Sequence, residues 1–114
     1  MSQSGAKTER MRKIALALPE THEELTWGED VNFRVGKKIF CFPGDGGSLT
    51  VKADRDELPA LLADARVTPA PYLARGGWIR IDLTTGRVDW REIDELIRTS
   101  YCLIAPKKLA AQVA

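Results

Sequence analysis

"VNFRVGKKIFCF" (Val31–Phe42) reads as two alternating runs that meet at Gly36-Lys37. Apolar residues at every second position mark strands with one buried face. A two-residue loop with glycine first fits a type II′ turn, whose first central residue needs a positive φ. That loop sets the register: Val35 opposite Lys38, Phe33 opposite Phe40, Val31 opposite Phe42. Directly opposed residues share a sheet face. Val31, Phe33, Val35, Phe40 and Phe42 are therefore expected on the packed side, with Asn32, Arg34, Ile39 and Cys41 on the other.

Downstream, "PGDGGS" (Pro43–Ser48) is a loop and Leu49 to Lys52 a third strand, with Leu49 and Val51 inward and Thr50 and Lys52 outward. Asp54 with Glu57 forms a capping box for a helix burying Leu58, Leu61, Leu62 and Ala65, and Pro59 fits best if that helix starts near Asp56. A short strand around Arg66 to Pro69 leads into "APYLARGG". The strand "WIRIDL" then turns Ile79, Ile81 and Leu83 inward and Trp78, Arg80 and Asp82 outward. Asp89 and Glu92 make a second capping box, before a helix that buries Ile93, Leu96, Ile97, Tyr101 and Ile104 and pairs Asp94 with Arg98 on its polar side. Pro106 stops it, and "KKLAAQV" adds a last turn or two.

Upstream, Thr8 caps a helix with Met11, Ile14, Ala15 and Leu18 at helical spacing, and Pro19 ends it. "ETHEELTWGED" (Glu20–Asp30), rich in carboxylates and free of Lys and Arg, reads as a solvated connector. Residues 1–7 form a disordered tail and residues 8–114 a single domain. The order α-β-β-β-α-β-β-α predicts an α+β fold: a two-layer sandwich, an antiparallel sheet with helices on one face and the other face open.

The chain has 114 residues, with 17 Lys+Arg against 16 Asp+Glu and a net charge of +1. Such a balance exerts no global pull on nucleic acid or anionic membranes, so a polyanion site would need local segregation of charge. The longest apolar run is "IALAL" and the N-terminus lacks a signal-peptide core, which predicts a cytoplasmic protein with no membrane contact. Cys41 and Cys102 have no CxxC spacing and read as reduced thiols. His22, the only histidine, lies in the acidic connector, so no metal site or cofactor is expected. Neither Ser100 nor Cys102 has a histidine nearby in sequence, and no carboxylates form a catalytic pair. An enzyme is therefore not expected, and no catalytic residue is assigned.

Lys37-Lys38 lacks the frame and the following helix of a P-loop. The pair either keeps a turn soluble and opposes edge pairing or contacts phosphates. Inverting the core pattern places Arg34, Ile39, Thr50, Lys52, Trp78 and Arg80 on the open face. A tryptophan among cations can stack a base while the cations hold phosphates. The same set suits a protein partner, or Trp78 folds over the sheet edge with Arg80 against its ring.

"FRVGKKIF", "LTVKAD", "PYLARGGWIRIDL" and "SYCLIAPKKLA" resemble, in order and spacing, the signatures of the MmcQ/YjbR family. The resemblance runs from about Glu9 to about Leu109. It implies a double-wing DNA-binding motif on a fold related to the type III secretion chaperones. Gly36-Lys37-Lys38 matches the family's glycine-lysine hairpin tip, Lys52 the lysine ending its third strand, and Trp78 a tryptophan opening a later strand. Many members carry a histidine segment before that tryptophan, where this chain has Tyr72 to Gly77. Ser100-Tyr101 matches another family signature, and Tyr101 is expected to pack inward with its hydroxyl bonded at the edge of the core. The expected binding set is Arg34, Lys37, Lys38, Lys52, Arg75, Trp78 and Arg80, in a monomer. Its leading partner is DNA, and its rival a protein bound as secretion chaperones bind theirs.

Overall fold

The Gly36-Lys37 turn forms as its residues require: Gly36 has φ +63° and Lys37 stays outside the left-handed region, the combination a type II′ turn demands. The structure is a computed structural model that describes residues 5–26, 30–44, 47–71 and 73–113. Outside the described residues lie residues 1–4 of the expected tail, 27–29 of the connector, 45 and 46 of the loop after the hairpin, and Tyr72. The turn joins β2 (Asp30–Val35) to β3 (Lys38–Gly44), with Val35 opposite Lys38 and Arg34 opposite Ile39.

Beyond that point the register departs from simple alternation. Phe33 faces Cys41, not Phe40, because a β-bulge inserts Phe40 as an extra residue in β3. Phe40 still packs inward, edge-on to the Tyr101 ring at 5.4 Å between centroids. The bulge reverses the faces of the next two residues. Cys41, expected outside, is fully buried in the core, where burial pushes its thiol pKa up. Phe42, expected inside, emerges on the open face. With β1 (Thr21–Thr26), β4 (Ser48–Lys52), β5 (Val67–Pro69) and β6 (Trp78–Asp82) the sheet has the spatial order β1-β2-β3-β4-β6-β5, all antiparallel.

The acidic segment read as a connector is strand β1 (Thr21–Thr26), at the edge beside β2. The two polar residues of its inward row, Thr21 and Glu23, are both satisfied. Glu23 accepts from Arg12 at 2.8 Å, and the Thr21 hydroxyl donates to the carbonyls of Ala15 and Leu18. Arg12 and Ala15 belong to α1 (Ala6–Leu16), which starts with Gly5 as N-cap, ahead of the expected Thr8 and without a side-chain cap. The helix thus takes in Ala6 and Lys7, two residues assigned to the tail.

A 3-10 turn (Arg55–Glu57) leads into α2 (Leu58–Leu62), with Asp54 accepting from the Asp56 N–H at 2.9 Å. So short a helix turns only Leu58 and Leu61 toward the core, and Leu62 and Ala65, expected to be buried, face solvent. Helix α3 (Trp90–Ile104) is capped by Asp89 as predicted, buries Ile93, Leu96, Ile97 and Tyr101, and pairs Asp94 with Arg98 at 2.8 Å. Helix α4 (Lys107–Val113) packs on α3. Helices on one face of an open antiparallel sheet give the expected α+β sandwich, with the edge strand β1 and a separate terminal helix added to the predicted order.

Ser100 joins the two layers. Its hydroxyl donates to the carbonyl of the bulged Phe40 at 2.6 Å and accepts from the Lys52 N–H at 3.0 Å. These are the backbone groups that the bulge withdraws from the β3–β4 ladder, which is regular only from the Cys41–Val51 pair onward. The Tyr101 hydroxyl donates to the Pro19 carbonyl at 2.7 Å, bonded at the edge of the core as expected.

Candidate nucleic-acid interface

The open face is built by strand alternation. Phe42, Thr50, Arg80 and Thr68 stand opposite one another across β3, β4, β6 and β5, and Lys52 stands opposite Trp78 in the neighbouring row. The Phe42 and Trp78 ring centroids are 5.5 Å apart with planes inclined by 38°. Their strands are separated by β4, so the two rings lean toward each other over it. Gly76 makes room for the indole: a Cβ there would lie 3.3 Å from its Cδ1. Both rings are half-buried. Trp78 is thus neither enclosed nor free, but one half of an aromatic pair.

Cations gather around this pair at one end of the sheet. The Gly36-Lys37 turn, the start of β3 at Lys38, the end of β4 at Lys52 and the start of β6 at Trp78 lie at that end by register. Arg75 joins them from the 3-10 turn Ala74–Gly76, and its carbonyl accepts from Arg55 at 3.0 Å. Arg80 lies one step along β6. Among the described residues, Lys37, Lys38, Lys52, Arg75 and Arg80 have no ion-pair partner within 4 Å. With no carboxylate bound directly to them, these side chains are free to take an external anion as counter-charge.

Arg34 is different. It lies on the open face as expected, but donates to Asn32 Oδ1 at 2.9 Å and faces Glu24 at 3.6 Å. Pairing β1 with β2 brings that carboxylate alongside. The hydrogen bond from His22, with help from the Arg34 charge, holds Glu24 below the usual carboxylate range. Arg34 is therefore spoken for, and the structure separates it from the other predicted cations.

Arg80, midway along β6, also borders a groove of about 390 Å³ that extends to the opposite end with Ser48, Arg66, Thr68, Asp82 and Thr84. Its charges are mixed. Arg66 is bound to Asp64 at 3.1 Å, and Asp82 accepts from the Thr84 N–H and hydroxyl, which lower its pKa ahead of the Arg80 charge. Lys52, at the other end of β4, has no ion-pair partner among the described residues, and Asp54, Asp56 and Glu57 follow it at the 3-10 turn. Phe42 is the site residue that sequence reading missed, since "FCF" holds no polar residue to mark the change of phase. Among the described residues no trio of His, Cys, Asp or Glu is arranged to hold a metal ion, and no helix is long and apolar enough to cross a membrane.

Comparison with protein families matches the chain to the one described as YjbR over residues 16–103. The chain belongs to the YjbR family. This YjbR chain is also similar in fold to the crystal structure of Deinococcus radiodurans protein DR2400, whose domain is described as DUF419. The two share 23% identity and a TM-score of 0.70 over 90% of this chain and 81% of that one. Among curated proteins none matches the chain. The YjbR match spans β1 to α3 and takes in Lys37, Lys38, Lys52, Arg75, Trp78 and Arg80.

Proposed function

We propose that this YjbR-family chain is a DNA-binding protein rather than an enzyme, holding phosphates with the Lys37-Lys38 hairpin tip and with Lys52, Arg75 and Arg80. The observation that carries the reading is the convergence of these unpaired cations on one end of an open sheet, in a chain whose net charge is only +1. The double-wing description that goes with the family points the same way, the Lys37-Lys38 hairpin serving as one wing. Phosphate contact with modest sequence preference is expected, because the five cations assigned here lie on a hairpin tip, strands and a 3-10 turn, and not on a helix that could enter a groove.

The test is a DNA titration at several salt concentrations. Each phosphate contact adds to the salt slope, so Lys37→Ala with Lys38→Ala should weaken binding and flatten the slope by about 1.5. Thermal stability should stay within about 0.5 kcal/mol of the parent, since both side chains are exposed at a turn. An unchanged slope would leave the lysines as a solubilising turn. The near-neutral charge supports a second reading, a protein-interaction module using the same face in the manner of secretion chaperones. A partner bound mainly through Phe42 and Trp78 would be held with little salt dependence.

A further inference from the structure

The bulge at Phe40 changes what the open face can recognise. Without it, Phe42 would lie in the core and Trp78 would be alone among cations. With it, Phe42 and Trp78 form a tilted pair at 5.5 Å on the sheet surface, beside Lys52, Arg80 and Thr50. We propose that this pair is a stacking platform for unpaired bases, and that the chain therefore prefers single-stranded over double-stranded nucleic acid. The inference rests on the nucleic-acid reading above and adds the state of the strand.

Paired and unpaired strands offer a protein different surfaces. In a duplex the base faces are covered by their neighbours, leaving groove edges and phosphates for contact. Aromatic rings that lie on a sheet, away from the hairpin tip, have nothing to stack on there. In a single strand every base presents a π-face, and aromatic side chains in a positively charged groove take it up without regard to sequence. The cation layout agrees. Lys52 is the cross-strand neighbour of Trp78, and Arg80 faces Thr50, which in turn faces Phe42, so unpaired cations flank the platform on both rows. Arg75 precedes Trp78 in the 3-10 turn before β6, and the Lys37-Lys38 tip projects from the same end of the sheet at β2 and β3, with Lys38 opposite the core residue Val35. Asp82 and the Asp64-bound Arg66 set a limit in the other direction, where a phosphate would meet a carboxylate.

The experiment measures binding of a labelled oligothymidylate and of a duplex of equal length by fluorescence anisotropy, for the full chain and for Phe42→Leu and Trp78→Leu. Each substitution should weaken binding to the single strand about tenfold, leave duplex binding unchanged and leave the salt slope intact, with Trp78→Tyr restoring most of the loss. Photocrosslinking of the parent protein to a 5-iododeoxyuridine-substituted single strand needs no variant to fold. Its crosslinks should fall on Phe42 or Trp78, and crosslinks confined to other residues would overturn the proposal. Equal affinity for both strand states with no effect of either substitution would overturn the platform but leave the phosphate reading standing. Failure to bind either nucleic acid at low salt would overturn both.

Discussion

At Ser100 one hydroxyl serves two backbone groups from different strands, the Phe40 carbonyl and the Lys52 N–H, in a fully buried position. Leaving a buried donor or acceptor unsatisfied costs about 1–3 kcal/mol. Ser100→Ala should therefore lower stability by about 2 kcal/mol or more in urea denaturation, and amide exchange at Lys52 should quicken well beyond that of Val51. Unaltered exchange at Lys52 would mean that the β3–β4 ladder closes without the serine. In the sequence Ser100 stands out only as a candidate nucleophile with no histidine nearby and as half of a family signature. Its purpose is not legible there, because the groups it serves are 60 and 48 residues away.

Strand β3 shows where periodic reading succeeds and where it stops. Alternation and the glycine-first turn put the hairpin tip in register as far as Arg34 and Ile39. From Phe40 to Phe42 every residue is apolar, so a change of phase leaves no trace in the pattern. Strand β1 escaped notice for the opposite reason. Apart from Leu25 its "THEELT" is polar on both faces, as an edge strand that satisfies its inward glutamate with a helical arginine can be. The bulge yields a graded expectation. Phe40→Ala, at a fully buried ring against Tyr101, should cost about 3–5 kcal/mol. Phe42→Ala, on the open face, should cost about half that or less. Equal losses in denaturant titrations would place Phe42 in the core after all.

Over the whole molecule, charge is sorted though the total is close to zero. Strand β1 carries Glu23 and Glu24 and no Lys or Arg, while the Lys37 turn, Lys52 and Arg75 lie toward one end of the sheet. Lys52, Trp78 and Arg80 could be found from the alternation of two short strands, and the structure puts them on one surface. Arg34 could not be sorted from them, since its neutralisation depends on pairing with the strand that reads as a linker.

The ties from α3 span long stretches of chain: 60 residues from Ser100 to Phe40 and 82 from Tyr101 to Pro19. Strands β1 to β4, by contrast, pair in chain order and close only local loops. Contacts between near neighbours form before distant ones, because the entropy of closing a loop must be met first. On that ground the meander is expected to assemble early, with α3 fastening onto it after the rate-limiting step. Ser100→Ala and Tyr101→Phe should accordingly leave the refolding rate almost unchanged in stopped-flow experiments and appear chiefly as faster unfolding. The serine and tyrosine then act as latches: they set how long the native protein lasts between unfolding events, and have little say in how quickly it first arrives there.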